Sequence, residues 1–366
     1  MKRFGAVVAL VMLGAGVGCS ASMESSSAGY SGGGDSNAGS PSGGGSSTGA
    51  TSSSSGGDTS ADPAQGGGPQ SQAGQLTAGV WDDNRNYDFF KKYADGFAAK
   101  DTSDLALFNE QERTAARDKA NGPQKAQSEI DVAVVFDTTG SMGDELSYLQ
   151  TEFDSIAQGV HDKFPAVTPR WGLVLYRDKG DAYVTQKFDF TTDTTAFRAN
   201  LAKQSAGGGG DIPEAVVQGL ETTATLSWRQ DDIAKVAFWV ADAPTHKGEG
   251  PQFATAVRSL RAKGVHIYPV GASGVDDTAE YQMRSSAQVT GGRYIFLTDD
   301  SGIGNSHKEP RIPCYQVTRL DQAVTRMIQI ELSGTYATPA PAEVLRSVGN
   351  PVDGKCNVSS GQVQLY

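Results

Sequence analysis

Cysteine and histidine are scarce in this chain, with three Cys and four His among 366 residues. Three Cys exclude a disulfide-dense miniprotein and a four-Cys zinc site. Four scattered His exclude a His-rich metal cluster. Positive charge is short as well: 31 Lys and Arg stand against 42 Asp and Glu, a formal net charge of -11. That balance argues against a nucleic-acid groove or a basic membrane patch, and suits a chain that handles divalent cations or basic partners. The apolar run that opens the chain, Phe4 to Val17, is about 14 residues, short of the roughly 20 that span a bilayer. Glycine is the exception to this scarcity, with 45 residues, unevenly spread, so part of the chain reads as linker.

Lys2 and Arg3 precede the apolar run, which ends in Gly16-Val17-Gly18-Cys19-Ser20. A positive start, a short apolar core and small residues make an export signal. The small residues before Cys19 resemble a bacterial lipobox, with Gly16 where the pattern carries Leu. That resemblance implies a signal peptide at 1–18 and a lipid on the Cys19 thiol; the alternative is ordinary cleavage after Ala21. Ser20 resembles the signals that release a lipoprotein to the outer membrane. With Cys19 lipidated, Cys314 and Cys356 remain as an even pair in an oxidising compartment. They read either as a disulfide closing a loop of about 42 residues and contributing about 3–4 kcal/mol, or as two buried thiols.

Residues 19–76 are dominated by Ser and Gly, in runs such as Gly43-Gly44-Gly45-Ser46-Ser47. Too few apolar residues are present to offset ordering entropy, so a disordered tether with an r.m.s. span of roughly 40 Å is expected. About 290 residues follow, ample for a core. Residues 77–129 read as a mostly helical flank, in which Tyr87, Phe89, Phe90, Tyr93 and Phe97 fall at helix-like spacing.

From Asp131 the rhythm alternates. Strands are predicted at Asp131–Phe136, Trp171–Tyr176, Ile233–Ala241, Val265–Val270 and Arg293–Leu297. Helices are predicted at Leu146–Phe164, Thr194–Ala202, Pro213–Thr225, Pro251–Lys263, Asp277–Thr290 and Asp321–Leu332. Apolar strands alternating with helices imply an α/β fold: a doubly wound, mostly parallel sheet with helices on both faces. In such sheets a ligand binds beyond the carboxyl ends of the strands. The first strand ends there in Asp137-Thr138-Thr139-Gly140-Ser141, placing three hard oxygen donors at alternate positions of a strand-to-helix turn. Such donors suit Mg2+, Mn2+ or Ca2+ rather than zinc. Asp242 closes a second strand, and Gly207 to Asp211 forms a third, glycine-rich loop before a helix. The competing reading of Ser141 and Asp211 is helix capping.

Asp-x-Thr-x-Ser after a buried strand, a Gly-rich loop and a strand-terminal Asp together resemble the von Willebrand factor type A (VWA) domain with its metal-ion-dependent adhesion site. Tyr176-Arg177-Asp178, Gly208-Gly209-Gly210-Asp211-Ile212-Pro213-Glu214 and Asp242-Ala243-Pro244-Thr245-His246 are similar to its hemicentin and alpha-kinase branch. The resemblance implies a Rossmann-like VWA domain at 130–334 and a C-terminal extension at 335–366. It implies that Asp137, Thr139, Ser141 and Asp242 hold Mg2+ (or Mn2+ or Ca2+). The family's loop Thr aligns with Gly210, and the neighbouring Asp211 is the candidate substitute. His246 is a candidate neighbour of the site, while His307 and Glu309 read as structural.

Enzyme signatures are missing. Thr139 stands where a G-x-S-x-G nucleophile elbow needs its first Gly, and no Walker motif follows any Gly-rich loop. The expectation is therefore a non-enzymatic module, lipid-anchored at Cys19 in the bacterial cell envelope with the outer membrane favoured. Its metal would be completed by an Asp or Glu of a protein partner. The alternatives are a metal-assisted hydrolase using Ser141 or a bound water, and a structural envelope protein with a vestigial metal site.

Overall fold

The computed structural model describes residues 76–99, 107–359 and 361–366. The expected signal peptide (1–18), Cys19 and all of the tether except Leu76 lie outside the described residues. In chain order the elements are β1 (Thr77–Trp81), α1 (Tyr87–Ala98), α2 (Glu110–Asn121), β2 (Ile130–Asp137), α3 (Gly143–Lys163), β3 (Arg170–Tyr176), β4 (Thr185–Thr191), α4 (Thr194–Leu201) and α5 (Val216–Ala224). There follow β5 (Ala234–Ala241), α6 (Gly250–Ala262), β6 (His266–Gly271), α7 (Asp277–Thr290), β7 (Tyr294–Thr298), β8 (Tyr315–Arg319) and α8 (Leu320–Ser333). The chain ends with β9 (Arg346–Val348), β10 (Lys355–Val358) and β11 (Gly361–Gln364).

Nine strands form one sheet in the order β4-β3-β2-β5-β6-β7-β1-β8-β9. The five from β3 to β7 run parallel, and the outer pairings are antiparallel. Both faces are buried, which is why the parallel strands read as apolar runs rather than as alternations. Along β2, Val132, Val134 and Phe136 enter one core with α3, α4 and α8, while Ala133 and Val135 enter the other with α5, α6 and α7. On β5 the same period sends Phe238 to the first and Trp239 to the second.

Residues 77–129, expected to be mostly helical, also supply a strand. β1 lies between β7 and β8 and is buried along its whole length. Gly79 is small because the ring of Phe296 lies across it; a Cβ there would fall 2.2 Å from Phe296 Cζ. The aromatic stripe of α1 turns inward, and Phe97 stacks on Tyr281 of α7 at 4.6 Å between ring centroids.

A second difference concerns the helix expected from Pro213. α5 starts only at Val216, because Glu214 is held extended: its N–H donates to Pro244 O at 3.0 Å and it bridges in parallel with Thr245. A disulfide joins Cys314, just ahead of β8, to Cys356 in β10, with 6.0 Å between Cα atoms. Among the described residues no helix is long and apolar enough to cross a membrane.

Candidate metal centre

The carboxyl ends of β2, β3, β5 and β6 lie along one edge of the sheet, where the loops after them meet the glycine-rich loop ahead of α5. β2 delivers Asp137, which is 0 % exposed. Its register opposite Tyr176 on β3, and that of Phe136 opposite Val240 on β5, set the ends of β2 and β5 side by side, so Asp137 and Asp242 come together. The chain then turns tightly. Asp137 Oδ1 accepts from the Thr139 N–H at 2.9 Å and from the Thr139 hydroxyl at 2.7 Å, and Thr139 Oγ1 stands 3.4 Å from Ser141 Oγ. Thr139 is buried beneath, and Ser141 opens to solvent. Neither hydroxyl caps α3, whose N-cap is Met142 without a side-chain cap bond, so the capping explanation of the motif falls away.

The glycine loop is clasped to this turn. Gly207 N–H donates to Thr138 O at 3.0 Å, and Gly140 N–H donates to Gly208 O at 3.2 Å. Gly208 and Gly209 adopt φ of +81° and +73°, the left-handed region that disfavours any side chain. Close approach adds to the constraint: the Asp181 carboxylate accepts from Gly209 N–H at 2.9 Å and lies where a Cβ of Gly208 would be. That bond and a second from the Asp178 N–H hold the Asp181 carboxyl below its usual range.

Asp137, Thr139, Ser141 and Asp242 are thus brought together, whereas no hydrogen bond or ion pair among the described residues ties Asp211 to them. It is exposed and makes none with the other described residues. Nor does it cap α5, which begins five residues later with Ala215 as its N-cap. The carboxylate that does reach the site is Glu214, only 3 % exposed. Its Oε1 lies 3.1 Å from where a Cβ on Gly209 would sit, and that same point is 3.4 Å from Thr139 Cβ. Sequence reasoning placed Glu214 inside a helix because Pro213 looks like a first-turn proline. The signal available was its position at the end of the Gly208-to-Glu214 run.

The electrostatics record crowding. Burial, and next the nearby Asp242, push the Asp137 carboxyl up to about 7, against the opposing bonds from Thr139. Burial and then Asp137, Asp178, Asp242 and Asp181 push Glu214 to about 9. Burial raises Asp242 too, with the Ser141 hydroxyl opposing the rise. Asp137 Oδ2, Asp242 Oδ1 and Glu214 Oε2 are buried without a hydrogen-bond partner, a costly arrangement for carboxylates unless something positive meets them. Among the described residues no group of three or more His, Cys, Asp or Glu side chains is placed to hold a metal ion by itself. A cation here would depend on the hydroxyls as well as the acids.

His246 and His307 have partners that the sequence did not name. His246 Nε2 lies 2.5 Å from Asp178 Oδ1. Ser273 Oγ is 3.1 Å from His307 Nε2, and His307 Nδ1 is 2.9 Å from Asp299 Oδ1, the order of a hydrolytic triad. Ser273, however, is buried, and both its N–H and its hydroxyl are taken by Glu145. This reads as a link between α3 and the 299–307 loop rather than as a nucleophile.

Comparison with known proteins covers the same region. Residues 131–299 match the family model of the von Willebrand factor A domain. A putative ariadne-like RING finger protein of Acanthamoeba polyphaga mimivirus is 27% identical over 192 residues, covering 47% of this chain and 18% of that protein. The alpha-protein kinase vwkA of Dictyostelium discoideum is 27% identical over 126 residues, 34% of this chain and 20% of the kinase. The chain spans about a fifth of the length of these relatives. Among solved structures, an aerotolerance-related membrane protein from Bacteroides fragilis aligns at 16% identity with a TM-score of 0.36, covering 57% of this chain and 99% of that one.

Proposed function

We propose that the von Willebrand factor A domain at residues 131–299 binds a protein partner through a divalent cation, Mg2+ or else Mn2+ or Ca2+. Asp137, Thr139, Ser141 and Asp242 hold the cation, and a partner Asp or Glu completes its coordination. One observation carries the reading: Asp137 Oδ2 and Asp242 Oδ1 are buried without partners beside two hydroxyls, one of them open to solvent. All are hard oxygens, suited to a hard cation. The Thr139 hydroxyl donates its hydrogen to Asp137, which leaves its lone pairs free to face a cation. Asp242 sets Ser141 in the same way. A bound cation supplies a positive centre for a partner's carboxylate oxygen. In this reading the domain is not an enzyme. It hangs from a lipid on Cys19 by the 19–76 tether, on the envelope side of a bacterial membrane, with the outer membrane favoured by Ser20.

The test is an affinity pull-down from envelope extract with full-length protein, in Mg2+ and in EDTA. A partner retained in Mg2+, and released by EDTA or by Asp137→Ala, is the expected result. Capture of the same proteins in EDTA would sink the reading.

A further inference from the structure

The geometry points to Glu214 as the acidic group that takes the place of the family's loop hydroxyl at the cation, with Asp211 left outside the coordination. This rests on the metal reading above and goes beyond it, because the alignment of the loop offers Asp211 instead. Four observations on the chain itself favour Glu214. It is 3 % exposed, whereas Asp211 is solvent-exposed and unbonded. Its Oε2 is buried without a partner, so a carboxylate oxygen is held at the site with nothing to satisfy it. Its backbone is fixed at two points, the 3.0 Å bond to Pro244 O and the bridge to Thr245, on the same loop that begins at Asp242. And Gly209 leaves the gap through which the side chain comes up beside Thr139, since a Cβ at that position would stand 3.1 Å from Glu214 Oε1.

The loop therefore separates two tasks. Its glycines and Pro213 carry the chain over the turn, and the residue after the proline, not the one two before it, returns to the cleft. The family's neutral loop hydroxyl is replaced by an acid two residues beyond the exposed Ile212, which is 69 % exposed. Glu214 meets the cation either directly or through one of its waters, as ligands of Mg2+ commonly do.

Calorimetry with Mn2+ or Mg2+ alone on the full-length chain tests this. Wild type, Glu214→Gln and Asp211→Asn are compared, with melting in EDTA as a fold check. The expected result is an affinity at least tenfold weaker for Glu214→Gln and within twofold of wild type for Asp211→Asn. A purely structural role for Glu214 would lower the melting temperature in EDTA and leave affinity unchanged. That outcome, or an equal loss in Asp211→Asn, overturns the assignment. If Glu214→Gln does not fold, Glu214→Asp keeps the charge but withdraws it by one methylene; several-fold weaker binding supports the assignment and unchanged binding refutes it. Absence of binding by wild type at millimolar cation defeats the metal reading itself, a result distinct from binding that ignores Glu214.

Discussion

Replacing Asp137 with Asn should stabilise the cation-free protein above neutral pH while abolishing its response to cation. The carboxyl is fully buried near Asp242, and its ordinary value of 3.8 rises to about 7. A raised carboxyl binds its proton more tightly in the folded chain than in the unfolded one, so the contribution of Asp137 to stability is greatest below about pH 4. It falls as pH rises towards about 7 and stays level above that. The full difference corresponds to about 4 kcal/mol. Asn cannot ionise, and its amide oxygen can still accept from the Thr139 N–H and hydroxyl. Exchanging a charged acceptor for a neutral one returns about 1–2 kcal/mol of that gain, leaving about 2–3 kcal/mol in favour of the variant at pH 8. Glu214, raised by burial and the surrounding acids, and Asp242, raised by burial and Glu145, are present in both proteins. Asp299 and Asp300, held below their usual range by His307 and Arg346, lose their contribution only at more acidic pH. Urea unfolding at pH 5 and pH 8 in EDTA, repeated with millimolar Mg2+, reads all of this. Wild type should weaken from pH 5 to pH 8 in EDTA and recover with cation; the variant should weaken less and ignore cation. A variant less stable than wild type at pH 8 in EDTA would refute the reasoning.

The two other predictions concern the cysteines. Reducing Cys314–Cys356, which closes a separation of 42 residues, should lower the unfolding free energy by about 3–4 kcal/mol in a urea titration; two thiols open to alkylation without reductant would contradict the bridge. Cys19→Ala should move the exported protein from the membrane fraction to the soluble one, and an unchanged membrane fraction would remove the lipid anchor from the proposal.

Much of the fold could be read directly. The run Asp131 to Phe136 is apolar throughout because a central parallel strand is covered on both faces, and that demand is written locally in its own residues. The same holds for the helices of the alternating region, whose apolar spacing marks which face turns inward. Asp137, Thr139 and Ser141 were legible for a related reason: a strand end followed by a tight turn fixes three side chains within five residues.

Partnership between distant segments was not legible. The five residues Thr77–Trp81 are a strand because β7 and β8 lie on either side of them, more than two hundred residues later. Nothing in Thr-Ala-Gly-Val-Trp announces that, and Gly79 makes sense only beneath the ring of Phe296. Asp211 and Glu214 show the same limit at the site. Both are acids on one loop; the family resemblance made Asp211 the ligand candidate, and the first-turn proline made Glu214 a helix residue. Backbone pairing with Pro244 and Thr245, contacts about thirty residues away, holds Glu214 extended and delays the helix to Val216. The strand and turn could be read from neighbours along the chain, but which acid enters the cleft depended on a hydrogen bond that forms only after the sheet has brought the two loops together.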